Sequence, residues 1–495
     1  MNQYSGENGK MSCGGSSGKN DSEENKKRFS GDFDSDVKSI EEILRVSESF
    51  DLVKRVITPK NNQRCAFFYV AGLANGHVVQ DFMRYCLSAE NFLLSDATIP
   101  YVEASLSDET EEIIKKILAG MTCFIAEGEP KAFLMDMRNI PTRGVEEPEN
   151  DKVLRGARDG FGETLQPNAA LIRRRIRDPR LTFSVQTVGE STKSDVCLCY
   201  LDGVADAEFV KNVKRQLKNL KLKSVNFQGE TLCEALIKRR WYNPFPKVRY
   251  TERPDAAAAS VLEGSVLLMC DNSPSVMILP TSIFDFFQET DDFCFPPLTG
   301  TYLRIVRFAV YIFSIYLTPV WYWLLGRIDT LPESLHFLRL SQEAGISVFW
   351  QLLIVEFAID GMRLASLNTP DVLGSALSVV GGLILGDFAV SAGWFSPDVI
   401  LYTAFVTIAN FTQTSFELGY AIKFMRIIML VLTYLLGGWG IIIGTALTLF
   451  LVITNKSIKG SRSYLYPLIP FNFKALKGLI FRVRKNTEDR AYQGE

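Results

Sequence analysis

Histidine is almost missing: His77 and His336 are the only two in 495 residues. A zinc site needs four ligands at tight spacing, and no such group is visible. The nine cysteines, Cys13, Cys65, Cys86, Cys123, Cys197, Cys199, Cys233, Cys270 and Cys294, include no CxxC pair. An odd number of scattered cysteines is poor material for a disulfide framework and points to a reduced, cytoplasmic setting for the part that carries them. Cys197 and Cys199 in DVCLCYL are spaced as buried residues on one face of a strand. No Walker, nucleophile-elbow or HExxH pattern occurs, so an enzyme, a cofactor or a metal centre has no support. The formal net charge of −2 excludes the strongly basic footprint of a dedicated nucleic-acid binder. The N-terminus, MNQYSGENGKMSCGGSSGKNDSEENKKRFSG, lacks the apolar core of a signal peptide. It is too polar to offset its ordering entropy, and disorder is expected over residues 1–35.

What is present divides into two unlike parts. Up to about residue 300, short apolar runs alternate with amphipathic stretches. SIEEILRVSESFDLVKRVIT reads as a helix, CAFFYVAGL as a buried strand, EEIIKKILAG as a helix, and TCFIAEG and KAFLMDMR as two strands about a turn. This predicts a first α/β subdomain over 36–138. A charged, glycine-bearing stretch follows, and then TFSVQTVGE with DVCLCYLDGV, the helix AEFVKNVKRQLKNLKL, and the pair GSVLLMCDN and SVMILPT. They predict a second α/β subdomain over 139–300.

The remainder carries hydrocarbon-length runs. A membrane helix needs about 20 mostly apolar residues, and Val306–Leu325, Ile346–Leu367, Val372–Ala392, Val399–Gln413 and Phe424–Ile453 are candidate crossings. The expected fold is therefore an α/β cytoplasmic head of two subdomains followed by an α-helical multi-pass membrane domain over 301–455 and a basic cytoplasmic tail over 456–495. Arg304 and Arg307 precede the first run, and Lys456, Lys459, Arg462, Lys474, Lys477, Arg482, Arg484 and Lys485 follow the last. By the positive-inside rule both flanks belong on the cytoplasmic side. Five crossings conflict with that, so one candidate must lie in the interface, re-enter, or be a broken hairpin; Gly437-Gly438-Trp439-Gly440 is a possible break.

Ionisable residues inside such runs cost at least about 2.5–3.5 kcal/mol each at the bilayer centre and usually face a cavity or one another. Glu356, Asp360 and Arg363 fall on one helical face and are pore or subunit-contact candidates, with an interfacial helix or a packing pair as the alternative. Asp387 joins them as a lone carboxylate in GGLILGDFAVSAG, where Gly381, Gly382 and Gly386 would let helices approach closely. Asn410 and Glu417 join them from ANFTQTSFELGYA, a stretch polar enough to be water-lined or a simple loop. In the head, Arg173, Arg174, Arg175 and Arg177 of LIRRRIRDPRL form a candidate basic face for phosphates or an anionic leaflet, or else a salt-bridged one.

Three long blocks, PTRGVEEPENDKVLRGARDGFGETLQPNAALIRRRIRDPRL, YTERPDAAAASVLEGSVLLMCDNSPSVMILP and GMRLASLNTPDVLGSALSVVGGLILGDFAVSAGWFSP, resemble in order the signature blocks of the GerA family of spore germination proteins. LNTPDVL, GDFAV, ANFTQTSFELGYAIKFMR and YLYPLIPF resemble the family's stage V sporulation branch more than its nutrient-receptor A subunits. The resemblance implies an integral protein of the inner spore membrane, with head and tail in the spore core, acting in germination and carrying no catalytic residues. It also implies the lipid bilayer, further copies of the chain and other germination membrane proteins as partners, and ion conduction as the activity to test. A non-conducting scaffold and a nutrient-sensing head are the competing expectations.

Overall fold

The computed structural model describes residues 28–60, 62–88, 103–140, 157–224, 228–237, 241–289, 292, 295–368, 379, 381–413, 415–455 and 463–481. Most of the segment expected to be disordered, the charged block at 141–156, and the basic residues at 456, 459, 462, 482, 484 and 485 lie outside these.

The first subdomain opens with α1 (Phe33–Leu44), capped by the Asp32 side chain accepting from the Ser35 amide. The expected long first helix stops there, because Arg45 turns left-handed at φ 56°. LVKRVI is instead strand β1 (Leu52–Ile57), paired antiparallel with β2 (Cys65–Val70). Then come α2 (Gly76–Ser88), β3 (Ala104–Ser107), α3 (Thr110–Leu118), β4 (Thr122–Ala126) and β5 (Ala132–Met135), and the sheet order is β1-β2-β4-β5-β3. Strand periodicity sorts its two faces. Ala66, Phe68 and Val70 pack with Ile40 and Ile117 of α1 and α3, whereas Cys65 and Phe67 pack with Val79 and Phe82 of α2.

The second subdomain repeats the plan with α4 (Leu165–Arg175), β6 (Leu181–Val188), β7 (Ser194–Leu201), α5 (Ala207–Lys218), α6 (Gln228–Leu236), β8 (Arg249–Thr251), α7 (Pro254–Leu262), β9 (Val266–Cys270) and β10 (Val276–Leu279). Its sheet runs β6-β7-β9-β10-β8. Cys197 and Cys199 share one buried face of β7 with Leu267 and Met269, opposite Val196 and Leu198. The two subdomains are pinned together where the ring contact of Phe50 and Phe183 adjoins the backbone bond from Phe50 N to Phe183 O.

The C-terminal region is helical: α8 (Pro297–Leu325), α9 (Val348–Leu367), a short segment ending Ile384–Ser391 that includes a π-helical stretch, α10 (Pro397–Phe411), α11 (Phe416–Leu436), α12 (Gly438–Ile453) and α13 (Phe473–Ile480). Helices α8 and α11 are long and apolar enough to cross a membrane. The expected run Phe424–Ile453 is broken at Gly437, φ +60°, into an antiparallel hairpin. The turn requires glycines of a particular kind: a Cβ on Gly440 would lie 2.2 Å from the Leu432 carbonyl oxygen, and one on Gly444 would lie 2.9 Å from Met429 Cγ. Among the described residues, the close approach expected at Gly381, Gly382 and Gly386 is found at Gly381, beside Met362, and nothing lies within 4 Å of a Cβ on Gly382 or Gly386.

Candidate functional site

Helices α9 and α11 face each other along charged stripes that run in opposite directions. On α9 the stripe is Glu356, Asp360 and Arg363; on α11 it is Phe416, Tyr420, Lys423 and Arg426. The i, i+4, i+7 spacing keeps each stripe on one face. Arg363 stands 4.9 Å from the Phe416 ring centroid and 5.2 Å from that of Tyr420. Lys423 Nζ lies 2.6 Å from Asp360 and 3.1 Å from Glu356 Oε2, and it donates to the Glu356 backbone carbonyl at 3.1 Å. Arg426 reaches Glu356 Oε1 at 2.7 Å and donates to the Ser314 carbonyl at 2.8 Å. Asn410 on α10 accepts from the Ser314 hydroxyl at 3.0 Å, so one hydrogen-bonded node ties α8, α9, α10 and α11 together.

Two carboxylates meet two cations here, and Glu356, Lys423 and Arg426 are all buried. Burying an isolated charge is prohibitive, so each member needs the others. The node also adjoins a cavity of about 30 Å³ lined by Glu356, Asp360, Arg363, Thr407, Asn410 and Lys423 among others. A void of that size admits about one or two waters.

Four of the six residues singled out in the apolar region, Glu356, Asp360, Arg363 and Asn410, therefore converge on one cavity. Asp387 does not: it is exposed on the π-helical stretch. Glu417, in the first turn of α11, is half-buried and forms no part of the cavity wall. Lys423 and Arg426 were missed. Their signal was available as two cations three apart in an apolar helix, matching the two carboxylates four apart in α9.

The arginine run of the head does not form one basic face. Arg173 is fully buried and bonds Asp51 at 2.8 Å, the Leu181 carbonyl at 2.8 Å and the Asp178 carbonyl at 3.1 Å. Leucine and isoleucine neighbours turn it inward, and its length spans the gap between the subdomains. Arg175 pairs with Asp159 at 2.6 Å, leaving Arg174 and Arg177 exposed.

A second buried ion cluster sits where head and helices join. Asp292 accepts from Arg304 at 3.3 Å and Arg307 at 2.8 Å, and Arg307 also bonds Glu289. The two arginines that flank the first apolar run are thus committed to acids from the head. Around them Phe245, Phe286, Tyr311, Leu418, Ile422 and Tyr464 form a mixed core.

Comparison with known proteins places these features in a lineage. The family model for the Bacillus/Clostridium GerA spore germination protein matches residues 38–492. Stage V sporulation protein AF of Bacillus subtilis (strain 168) is 36% identical over 446 residues, covering 88% of this chain and 90% of that protein. Spore germination protein KA of the same organism is 27% identical over 452 residues, covering 88% and 82%. The crystal structure of the N-terminal domain of the A subunit of the Bacillus megaterium spore germinant receptor GerK3 matches 51% of this chain and 96% of its own, at 24% identity and a TM-score of 0.40.

Proposed function

The chain belongs to the GerA family of spore germination proteins, and on that premise we propose that it is a multi-pass membrane protein whose copies assemble into an ion-channel-like subunit ring that promotes or amplifies germination. The observation that carries this reading is the node of Glu356, Asp360, Lys423 and Arg426, set beside a water-sized cavity inside an apolar bundle. Charge held at such a depth is expensive and marks ion or water pathways more often than simple anchors. Among the described residues six helical segments lie in this region once the hairpin at Gly437 is counted as two, and six crossings would return the head and tail to one side, the cytoplasmic side or spore core. Helices α10 and α12, with 15 and 16 residues, rise only about 22 and 24 Å, short of a hydrocarbon core of about 30 Å. Short helices leave polar ends inside the bilayer, where neighbouring copies or other germination membrane proteins would cover them.

A scaffold that does not conduct is the second reading, and one observation favours it: the four charges balance within a single chain. Flux separates the two. Purified protein in sealed vesicles should pass monovalent cations, and Glu356→Gln with Asp360→Asn should change that flux. No leak from the wild type would leave only the scaffold. A nutrient-sensing head is addressed by calorimetry of the full chain against common germinants, where saturable binding would promote it.

A further inference from the structure

At the junction of head and helices, two separate segments present large apolar side chains to the outside. One is the head loop at Trp241 and Tyr242; Trp241 is 96% exposed. The other is the tail segment from Leu468 to Phe481, in which Ile469, Phe471, Phe473 and Phe481 are exposed. Neither segment dangles. Asn243 Nδ2 donates to the Leu451 carbonyl near the end of α12 at 2.9 Å, which holds the loop against the helical region. Arg304 Nη1, near the start of α8, donates to the Gly478 and Leu479 carbonyls at 2.9 and 3.1 Å. The Tyr464 hydroxyl donates to the Pro246 carbonyl at 2.7 Å.

Helix α13 shows which way this surface looks. Ala475 and Leu479, one turn apart, are buried, and the opposite side carries Phe473, Lys474, Lys477 and Phe481. Two phenylalanines and two lysines on one exposed face suit neither water nor a protein core. The rings prefer an apolar medium, and the ammonium groups prefer phosphate and water. The boundary between lipid headgroups and acyl chains satisfies both at once, with the lysine stems reaching outward. Leu298, Tyr302 and Ile305 are also exposed, on the first turns of α8.

We propose that the loop at Trp241 and the segment 468–481 form an interfacial collar that lies on the anionic lipid surface on the head side of the membrane. It fixes the height of the head above the bilayer, because Arg304 links the collar to the Asp292 cluster. This rests on the reading that α8, α11 and α12 span the membrane. Lys474 and Lys477 would add attraction to anionic lipid.

The test uses the full chain in vesicles of phosphatidylglycerol and phosphatidylcholine, with trifluoromethyl-phenylalanine at position 473 and, separately, at position 313, which is an exposed phenylalanine midway along α8. Fluorine relaxation is read with doxyl-labelled lipid and with a water-soluble gadolinium chelate. The collar predicts that doxyl lipid relaxes position 473 at least about threefold more than gadolinium does, as for a ring seated at the acyl boundary. Lys474→Glu with Lys477→Glu should reduce the doxyl effect at 473 in anionic vesicles and leave it unchanged in pure phosphatidylcholine. If position 313 responds to doxyl lipid while 473 responds to gadolinium, or to neither agent because protein covers it, the collar is wrong and the spanning reading stands. If neither position responds to doxyl lipid, the spanning reading falls with it.

Discussion

Glu356 is the carboxylate shared by Lys423 and Arg426, whose side chains are 8% and 1% exposed. Replacing it with Gln keeps the shape and removes the charge. Lys423 keeps Asp360 at 2.6 Å, but Arg426 loses its only carboxylate within ion-pair distance among the described residues and is left with the Ser314 carbonyl and hydroxyl. Breaking a buried pair by removing one partner costs about 3–5 kcal/mol, mostly through the charge left behind. Glu356→Gln alone should therefore destabilise by about that much. Arg426→Gln added to it restores parity, with one cation and one carboxylate remaining, and should recover half or more of the loss. The assay is equilibrium unfolding of the full chain in mixed dodecyl sulfate and maltoside micelles, followed by helicity, for the wild type, both single variants and the double. A coupling above about 1.5 kcal/mol is expected, within the range for residues in one charged network. Additive losses, or a Glu356→Gln protein within about 1 kcal/mol of the wild type, would refute the compensation of charge inside one chain.

Arg173→Met should leave Asp51 buried and unpaired, costing about 3–5 kcal/mol, and Arg173→Lys should recover less than half of that, because an ammonium cannot bond Asp51 and two carbonyls as the guanidinium does; limited proteolysis of the full chain between the subdomains would report it. Gly440→Val should disrupt the hairpin of α11 and α12, whereas Gly382→Ala, with nothing within 4 Å of the new Cβ among the described residues, should stay within about 0.5 kcal/mol of the wild type in the micelle titration. Burial pushes the Cys65 thiol up to about 11 and the Cys86 thiol up to about 12 from an ordinary 9.0. The folded state thus holds these protons longer than the unfolded chain does, so their contribution is full below pH 9 and is lost as pH rises toward 11–12. Stability should fall over that window, less steeply in Cys86→Ala, and a maleimide at pH 8 should label neither thiol until the protein is unfolded.

The strands of the head were legible because short apolar runs bounded by turn residues fit strands buried on both faces, as in VLLMC and VMIL about Asp271-Asn272. The length of α1 was not, since LVKRVI has a helix-compatible pattern and becomes a strand only by pairing with CAFFYV across a loop. Tertiary context decided that one. In the apolar region, the stripe of Glu356, Asp360 and Arg363 was visible from spacing alone. Two cations three apart in an apolar helix marked Lys423 and Arg426 as unusual, but which helix faces which is set by packing, so their pairing with that stripe was not legible. Arg173 is the same problem reversed: a run of arginines looks like a surface, and one member of it became the pin between subdomains. Glycine misled in part for a related reason. Of the glycines in GGLILGD, Gly381 does sit tightly against Met362, whereas Gly382 and Gly386 meet nothing within 4 Å among the described residues, and the equally tight approach of Gly440 to the Leu432 carbonyl was not foreseen.

The central claim is that the charged node lies inside a membrane-spanning bundle, away from bulk water. Ser314, fully buried and bonded to both Asn410 and Arg426, allows a nearly isosteric probe, Ser314→Cys. In sealed vesicles carrying the full chain, a charged maleimide added from either side should leave position 314 unlabelled, and labelling should appear only after dodecyl sulfate. Prompt labelling from either side in the intact vesicle would contradict the account.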